Sequence, residues 1–189
     1  MKYMDKKELI LKEAEKLFAE KGYYGLGLSE LLKRCGIPKG SFYYYFPDGK
    51  IQLIQEVLKS SYQKMKEHIA RGFETEPSAL VSFEHMLDRR IRATAEGRQG
   101  VSLLMTMISI ESVYLDQRVH ETCRAIYQDW QQLYADHLLR HGFDEAESVV
   151  KAQAIFALVH GSQISAWIKQ DTMDLQLAKK SLCDILADH

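Results

Sequence analysis

The 189-residue sequence has few residues that break helices and no marked excess of either charge. Three prolines and eleven glycines, beside 46% apolar and 27% charged residues, suit a helical protein better than a turn-rich β sandwich. A formal net charge of −1 argues against a protein that coats nucleic acid without sequence preference. A chain of this length can bury a substantial core, so we expect one or two closely packed globular units.

Cysteine is also scarce, and its spacing fits neither a disulfide framework nor a metal site. Cys35, Cys123 and Cys183 are odd in number and far apart, without a CxxC motif. We interpret them as reduced and mostly buried thiols, and a redox-sensing role for one of them stays open. His137 and His141 lie four residues apart in a predicted helix, but no third ligand accompanies them, so we predict no metal and no cofactor.

The sequence offers no candidate for a leader peptide or a membrane span. The first twenty residues contain ten charged side chains, which leaves no apolar stretch of the kind that a secretory signal needs. The longest uncharged run, residues 152–168, is interrupted by polar residues and is interpreted as a buried helix. We therefore expect a cytoplasmic protein.

Residue spacing also gives no support for a catalytic site. The sequence has no Ser/His/Asp, Cys/His or paired-carboxylate arrangement that spacing alone would justify, and its glycines form no phosphate-binding loop. We therefore predict no catalytic residue and no enzymatic activity.

The charges are distributed unevenly between the two ends of the chain. Residues 1–50 carry ten Lys or Arg against seven Asp or Glu, a net charge of +3, which leaves −4 for the remainder. This asymmetry predicts that the N-terminal part alone approaches DNA.

Apolar residues recur at intervals of three and four along most of the chain and predict about nine helices, with no convincing strand and no internal repeat. The first helix follows a capping-box pattern and ends at Gly22. A long amphipathic helix from Lys50 to Ala70 is predicted to connect the N-terminal part to the rest. The basic residues Arg89, Arg90 and Arg92 of the following helix are interpreted as a solvated face.

Two short helices around a tight turn are predicted within the first fifty residues. The first spans Leu28–Cys35 and the second Lys39–Tyr45. Between them, Gly36 allows a tight turn, Ile37 fills it with an apolar side chain, and Pro38 suits a helix start because its missing N–H is not needed there. This arrangement is typical of a helix-turn-helix.

The stretch GLGLSELLKRCGIPKGSFYYYFPDGK, residues 25–50, closely resembles the DNA-binding signature of the TetR/AcrR family, in the form of its NemR/LmrA-like branch. The resemblance implies an all-α fold. An N-terminal three-helix helix-turn-helix domain (residues 1–50) would precede a C-terminal helical domain (residues 51–189) for effector binding and dimerisation.

The same resemblance implies a DNA-binding transcriptional regulator, with double-stranded operator DNA and a small-molecule effector as its partners. A repressor released from its operator by the effector is the favoured interpretation. Two alternatives stay open: a transcriptional activator of the same fold, and a helical small-molecule-binding protein or enzyme that does not use its DNA-binding head.

The family signature also assigns roles to residues of the predicted recognition helix and its surroundings. Residues at the start of that helix would face base edges, whereas aromatic and cationic residues at its rim would meet phosphates. We expect Phe42 and Phe46 to be core residues. The base-edge candidates are Lys39, Gly40 and Ser41; the phosphate candidates are Tyr43, Tyr44 and Lys50; Tyr45 suits either role, and Ser29 and Lys33 on the preceding helix are further candidates.

The predicted helix from Asp144 to Lys169 is apolar on nearly all sides, which a monomer could not easily bury. Small residues along it would let a second helix approach closely. The resemblance implies that this helix and the last one form a four-helix bundle with a second subunit, and a homodimer would read two half-sites of a near-palindrome. The candidate interface residues are Ala154, Ala157, Leu158, Gly161, Ser165 and Leu182.

For the effector, the resemblance implies a site among the central helices. Large apolar and aromatic residues occur there at helical spacing, although each of them is also a candidate core residue. Glu111, at the end of an uncharged predicted helix, is either a partner for a cationic ligand or a surface carboxylate. The ligand-lining candidates are Met86, Leu104, Met107, Ile108, Glu111, Tyr127, Trp130, Tyr134 and Trp167.

Overall fold

The computed structural model describes residues 5–98 and 100–187, and over these residues it consists of nine α-helices without a strand. The predicted all-α fold is therefore confirmed. The helices are α1 (Lys6–Gly25), α2 (Leu28–Cys35), α3 (Lys39–Tyr45), α4 (Gly49–Glu74), α5 (Ala79–Ala95), α6 (Gly100–Ser112), α7 (Gln117–Arg140), α8 (Glu145–Lys169) and α9 (Met173–Leu186).

Local capping chemistry sets many of the helix boundaries. The Asp5 carboxylate accepts the Lys7 amide at the start of α1, and the Asp144 carboxylate accepts the Glu147 amide over 2.8 Å at the start of α8. Within α1, Gly22 has φ 68° and ψ −177°, so the helical hydrogen bonds are interrupted there and a short turn follows. The prediction that Gly22 closes the first regular helix agrees with this break.

The helices group into two compact units. The first unit consists of residues 5–65 and 100–126, and the second of residues 66–98 and 127–187. Helix α6 and the N-terminal part of α7 thus belong to the same unit as α1–α3. The boundary at residue 50 that the sequence suggested stays a prediction.

The core of the first unit includes apolar residues on one side of α1. Ile10, Leu17 and Phe18 are all fully buried. Phe42 and Phe46 are also fully buried, and their rings stack with centroids 5.3 Å apart. Their burial confirms the prediction that they are core residues. Buried aromatic rings supply a large part of the hydrophobic stabilisation of a small helical unit.

The core of the second unit contains a cluster of aromatic rings around a histidine. The His137 ring is fully buried and stacks on Phe73 with centroids 4.0 Å apart, while Phe83 meets it edge to face. Neither ring nitrogen of His137 has a hydrogen-bond partner in the described part of the chain. This residue is therefore a buried neutral histidine inside a hydrophobic core.

Two of the three cysteines are buried. Cys35 and Cys123 are buried, whereas Cys183 is exposed on α9. Burial raises the pKa of both buried thiols, which disfavours the reactive thiolate at these two positions.

Across residues 5–98 and 100–187, no helix combines the length and the apolar character that crossing a bilayer requires.

Candidate nucleic-acid interface and effector region

The turn between α2 and α3 is closed by backbone hydrogen bonds that need a left-handed residue. Gly36 has φ 63° and ψ 34°, and its amide donates to the carbonyl oxygen of Lys33 over 3.3 Å. The following amide, that of Ile37, donates to Leu32 over 3.1 Å. This arrangement caps the last carbonyls of α2, and glycine adopts it without steric cost. It positions α3 as the second helix of a helix-turn-helix.

Helix α3 buries one side and exposes the other. Phe42 holds the helix against the core of the first unit, whereas Lys39 and Gly40 are exposed. Tyr44 is 80% exposed and Tyr43 is 42% exposed, which is unusual for large aromatic side chains. An exposed helix face that carries a cation and two phenols is suited to contact a polyanion.

The three base-edge candidates lie together at the N-terminal end of α3. A Cβ atom added at Gly40 would meet no atom within 4 Å, so the backbone is open to a close approach from outside. The Nζ atom of Lys39 lies 5.9 Å from the centroid of the Tyr43 ring. Ser41 is half-buried. An extended lysine in this place can donate to guanine O6 or N7 in a major groove.

The remaining DNA-contact candidates belong to α2, α3 and the start of α4. The Tyr45 ring is half-buried and meets Tyr44 edge to face at 5.1 Å. Ser29 and Lys33 are exposed on α2. The structure thus places all nine DNA-contact candidates, Lys50 included, in the first unit.

Lys50 lies at the beginning of α4 and is held by residues of the segment that enters α2. Its ammonium donates to the carbonyl oxygen of Leu26 over 2.7 Å and lies 4.3 Å from the centroid of the Tyr23 ring. Partial burial lowers the pKa of Lys50, and the negative charge of Glu111 opposes this effect. The ammonium carries three donors, so the Leu26 carbonyl orients it and leaves donors for a phosphate.

The effector candidates of the first unit all lie on α6. Leu104 and Ile108 are fully buried, while Met107 is half-buried. Glu111 is half-buried as well, and its carboxylate accepts the backbone N–H of Tyr23 over 2.8 Å. The structure therefore gives Glu111 a protein partner, a contact between residues 88 positions apart that the sequence did not suggest.

The effector candidates of the second unit lie mainly on α7. Trp130 and Tyr134 are fully buried, and the Tyr134 hydroxyl donates to the sulfur of Met86 over 3.2 Å. Tyr127 is half-buried and meets Trp130 edge to face at 6.5 Å. Trp167 is half-buried on α8.

Sequence reasoning missed two polar groups beside Trp130. The His160 ring lies 4.7 Å from the Trp130 ring, and its Nδ1 atom donates to the carbonyl of Phe156 over 2.8 Å. The Nε2 atom is buried and has no hydrogen-bond partner among the described residues. Desolvation lowers the pKa of His160 to about 4, and the neighbouring charge of Arg90 acts in the same direction.

Arg90 is the second of these groups, and its assignment to a solvated face is wrong. Its guanidinium carbon lies 5.9 Å from the Trp130 ring centroid, and burial lowers its pKa while Tyr134 raises it. The spacing contained a signal: Arg90 is four residues after the buried Met86 and seven after the buried Phe83, which places it on the same helix face.

Most of the candidate interface residues form one surface of α8. Ala154, Ala157 and Gly161 are exposed at intervals of three and four residues, with Leu158 and Ser165 half-buried on the same helix. A Cβ atom at Gly161 would meet nothing within 4 Å in its own unit. This surface continues in apolar residues that are exposed to an unusual degree, namely Val150 at 66%, Ile168 at 77% and Leu177 at 50%.

Leu182 differs from the other interface candidates. Its side chain is fully buried, so it packs inside the protomer instead of on the exposed surface of α8 and α9. The helical period of α9 puts Leu175, Ala178 and Leu182 on the inner face, and all three are buried. Leu182 is therefore not available to a second subunit on this surface.

Two family models match the chain. The model described as "Bacterial regulatory proteins, tetR family" matches residues 10–57, which contain α2 and α3. The model described as "Transcriptional regulator LmrA/YxaF-like, C-terminal domain" matches residues 79–181. The second match alone covers more than half of the sequence.

Similar proteins match along nearly the whole length. The HTH-type transcriptional regulator LmrA of Bacillus subtilis is 29% identical over 189 residues, covering 98% of this chain and 99% of that protein. The HTH-type transcriptional repressor NemR of Escherichia coli is 24% identical, covering 97% and 94% respectively.

Solved structures show the same fold. The crystal structure of reduced E. coli NemR matches with a TM-score of 0.87 and 23% identity, covering 97% of each chain. A TetR transcriptional regulator from Legionella pneumophila matches with a TM-score of 0.83 and 20% identity, covering 99% of this chain and 100% of that one.

Proposed function

The chain belongs to the TetR family of bacterial regulatory proteins, and from this membership we propose that it is a homodimeric repressor that leaves its operator when a small molecule binds. As a member of this family it is a DNA-binding transcriptional regulator. The observation that carries the proposal is the exposed face of α3, with Lys39, Gly40 and Tyr44 pointing away from the core. Repression is supported by the similarity to a protein named as a repressor.

In this proposal, α3 enters the major groove of the operator. Lys39, Gly40 and Ser41 meet base edges and determine the preferred sequence, because the major groove presents a distinct donor and acceptor pattern for each base pair. The residues around them contact phosphates and contribute affinity without sequence preference. Tyr43, Tyr44 and Lys50 have this role; Tyr45 suits either role, and Ser29 and Lys33 on α2 are further candidates for contact with DNA.

A second copy of the chain supplies the second recognition helix. We propose that the exposed surface of α8, centred on Gly161, packs against the same surface of the partner. Its apolar residues would then be buried, and the small side chains of Ala154 and Ala157 would allow the helices to approach closely. Two recognition helices about 34 Å apart can enter successive major grooves of one DNA face.

The effector proposed here is an uncharged and largely apolar small molecule. Aromatic and sulfur-containing side chains supply most of the candidate contacts, which favours apolar ligands with few polar groups. Glu111 already accepts a backbone N–H, and Arg90 brings a positive charge close to Trp130, so neither feature favours a cationic ligand. We propose no enzymatic activity, no cofactor and no metal, and we propose a cytoplasmic location.

The test starts with DNA. The full-length protein is mixed with duplexes that tile the regions flanking its own gene and with a random duplex library, and bound DNA is selected at 150 mM salt. We expect enrichment of a near-palindrome. A reporter carrying that site should be repressed when the protein is present; increased reporter output would identify an activator, and no enrichment of any sequence would contradict the proposed function.

A further inference from the structure

The C-terminal end of α1 is held by a side chain of α6. At Gly22 the backbone turns to φ 68° and ψ −177°, and this break removes the next amide from the regular hydrogen bonds of the helix. That amide, the N–H of Tyr23, donates to the Oε2 atom of Glu111 over 2.8 Å. A buried or half-buried amide needs such a partner, and a carboxylate is a strong one.

The fit around this hydrogen bond is close. A Cβ atom built on Gly22 would lie 2.6 Å from the Oε1 atom of Glu111, which is too short for any real contact. The positive φ favours glycine at this position, and a side chain here would also have to displace the Glu111 carboxylate. Both distances place the Glu111 carboxylate directly against the backbone of Gly22 and Tyr23.

Further contacts hold the same segment, residues 22–27. The Tyr24 hydroxyl donates to the carbonyl oxygen of Tyr114, just beyond α6, over 3.3 Å. The Lys50 ammonium donates to the carbonyl oxygen of Leu26 over 2.7 Å. The segment leads directly into α2, so its position determines where the helix-turn-helix begins.

We propose that Glu111 is a positioning residue that transmits the position of α6 to the DNA-reading helices. Through the Tyr23 amide it determines how α2 and α3 are presented, and it thereby controls operator affinity without contacting DNA. Helix α6 also carries Leu104, Met107 and Ile108, three of the proposed effector contacts, so a ligand that displaces α6 acts on the same hydrogen bond. This inference rests on the proposed function.

The experiment compares three variants of the full-length protein. Glu111→Met keeps a similar side-chain volume but removes the acceptor, and Glu111→Gln keeps an acceptor oxygen without the charge. Glu121→Ala is the matched control, because Glu121 is an exposed acid of the same unit, on α7, where its carboxylate accepts a hydrogen bond from Gln117. Each protein is titrated by fluorescence anisotropy with the selected operator and with an unrelated duplex over a range of salt concentrations.

We expect Glu111→Met to weaken operator binding about tenfold, within the range typical of coupling between sites. Binding to the unrelated duplex and its salt dependence should be the same in Glu111→Met and Glu111→Gln, because both variants lose the same negative charge near Lys50 and neither loses a phosphate contact. Glu111→Gln should restore operator binding to within about threefold, since its Oε1 atom can still accept the Tyr23 N–H. Hydrogen exchange of the Tyr23 amide should be faster in Glu111→Met only.

Three outcomes would overturn the inference. The first is wild-type operator affinity in Glu111→Met despite faster exchange at Tyr23. The second is equal loss of binding to both duplexes together with a lower melting temperature, which would mean that Glu111 supports only the fold. The third is failure of Glu111→Gln to restore binding. Failure of the wild-type protein to bind any selected DNA would instead refute the proposed function itself.

Discussion

The Lys50 ammonium and the Leu26 carbonyl oxygen are joined by a 2.7 Å hydrogen bond between the start of α4 and the segment before α2. This bond uses one of three donors and fixes the charge beside the Tyr23 ring. The structure thus explains how a long, flexible side chain at the edge of the recognition surface acquires a defined position.

We predict that Lys50→Ala weakens binding to operator and unrelated DNA alike. Loss of one phosphate contact should also reduce the slope of log K against log salt by about 0.9. Titrations at four salt concentrations measure both effects. Lys59→Ala is the control, because Lys59 is an exposed lysine further along α4. An unchanged slope would show that Lys50 supports the turn without meeting a phosphate.

Lys39→Ala should have a different signature. A base-edge contact contributes discrimination, so its loss should cost about 1–3 kcal/mol on the preferred operator and relax the sequence preference at one position of each half-site. Repeating the selection with the variant shows which position is relaxed. If the variant kept both the affinity and the preference of the wild type, α3 would have to be oriented differently on DNA.

We predict that Gly161→Arg produces a folded monomer. The site is open in the protomer, where a Cβ atom meets nothing within 4 Å, so the fold should tolerate the side chain. In the proposed dimer the same side chain would overpack a close helix crossing and bury an unpaired charge. Sedimentation velocity measures the mass, and circular dichroism checks the fold.

Gln128→Arg, which adds the same side chain at an exposed position of α7, is the control for this experiment. A dimer that persists in Gly161→Arg would place the interface on a different surface. A monomer in Gln128→Arg as well would show that added charge, and not the position on α8, causes dissociation.

The elements of the fold were predictable because local chemistry determines them. The cap at Asp144, the left-handed turn at Gly36 and the apolar stripe from Ile10 to Phe18 each involve residues a few positions apart. Such short-range patterns can be identified in a single sequence. The candidate DNA-contact residues came from the resemblance of residues 25–50 to a known family signature.

Tertiary contacts explain what could not be predicted. In the sequence Glu111 is an isolated carboxylate, because its partner is a backbone amide 88 residues away. Every residue except proline has a backbone N–H, so the residue type of the partner gives no indication of this contact. Arg90 appeared as one of several surface cations, although its spacing from Met86 placed it on the buried face. In both cases the partner of the charged group belongs to a helix that is distant in sequence, and such contacts cannot be identified from local spacing.

The buried His137 should make the folded protein sensitive to acid. Burial, followed by the nearby charges of His141 and Arg140, lowers the pKa of His137 from its ordinary value of 6.5 to about 4. At neutral pH the imidazole is neutral in both the folded and the unfolded chain, so it does not oppose folding through its charge. Between pH 6.5 and 4 only the unfolded chain takes up the proton, and folding stability falls as the pH falls.

For a shift of this size the loss below pH 4 approaches about 3 kcal/mol. His137→Phe should remove this contribution, because a phenyl ring can stack on Phe73 and does not titrate. We therefore expect the difference in unfolding free energy between pH 7.5 and pH 5 to be smaller in the variant than in the wild type. Urea denaturation at both pH values measures it, with the exposed His68→Gln as the control. Equal pH dependence in the wild type and His137→Phe would contradict this prediction. It would mean that the folded protein takes up a proton on His137 at no cost, although neither ring nitrogen has a hydrogen-bond partner among the described residues.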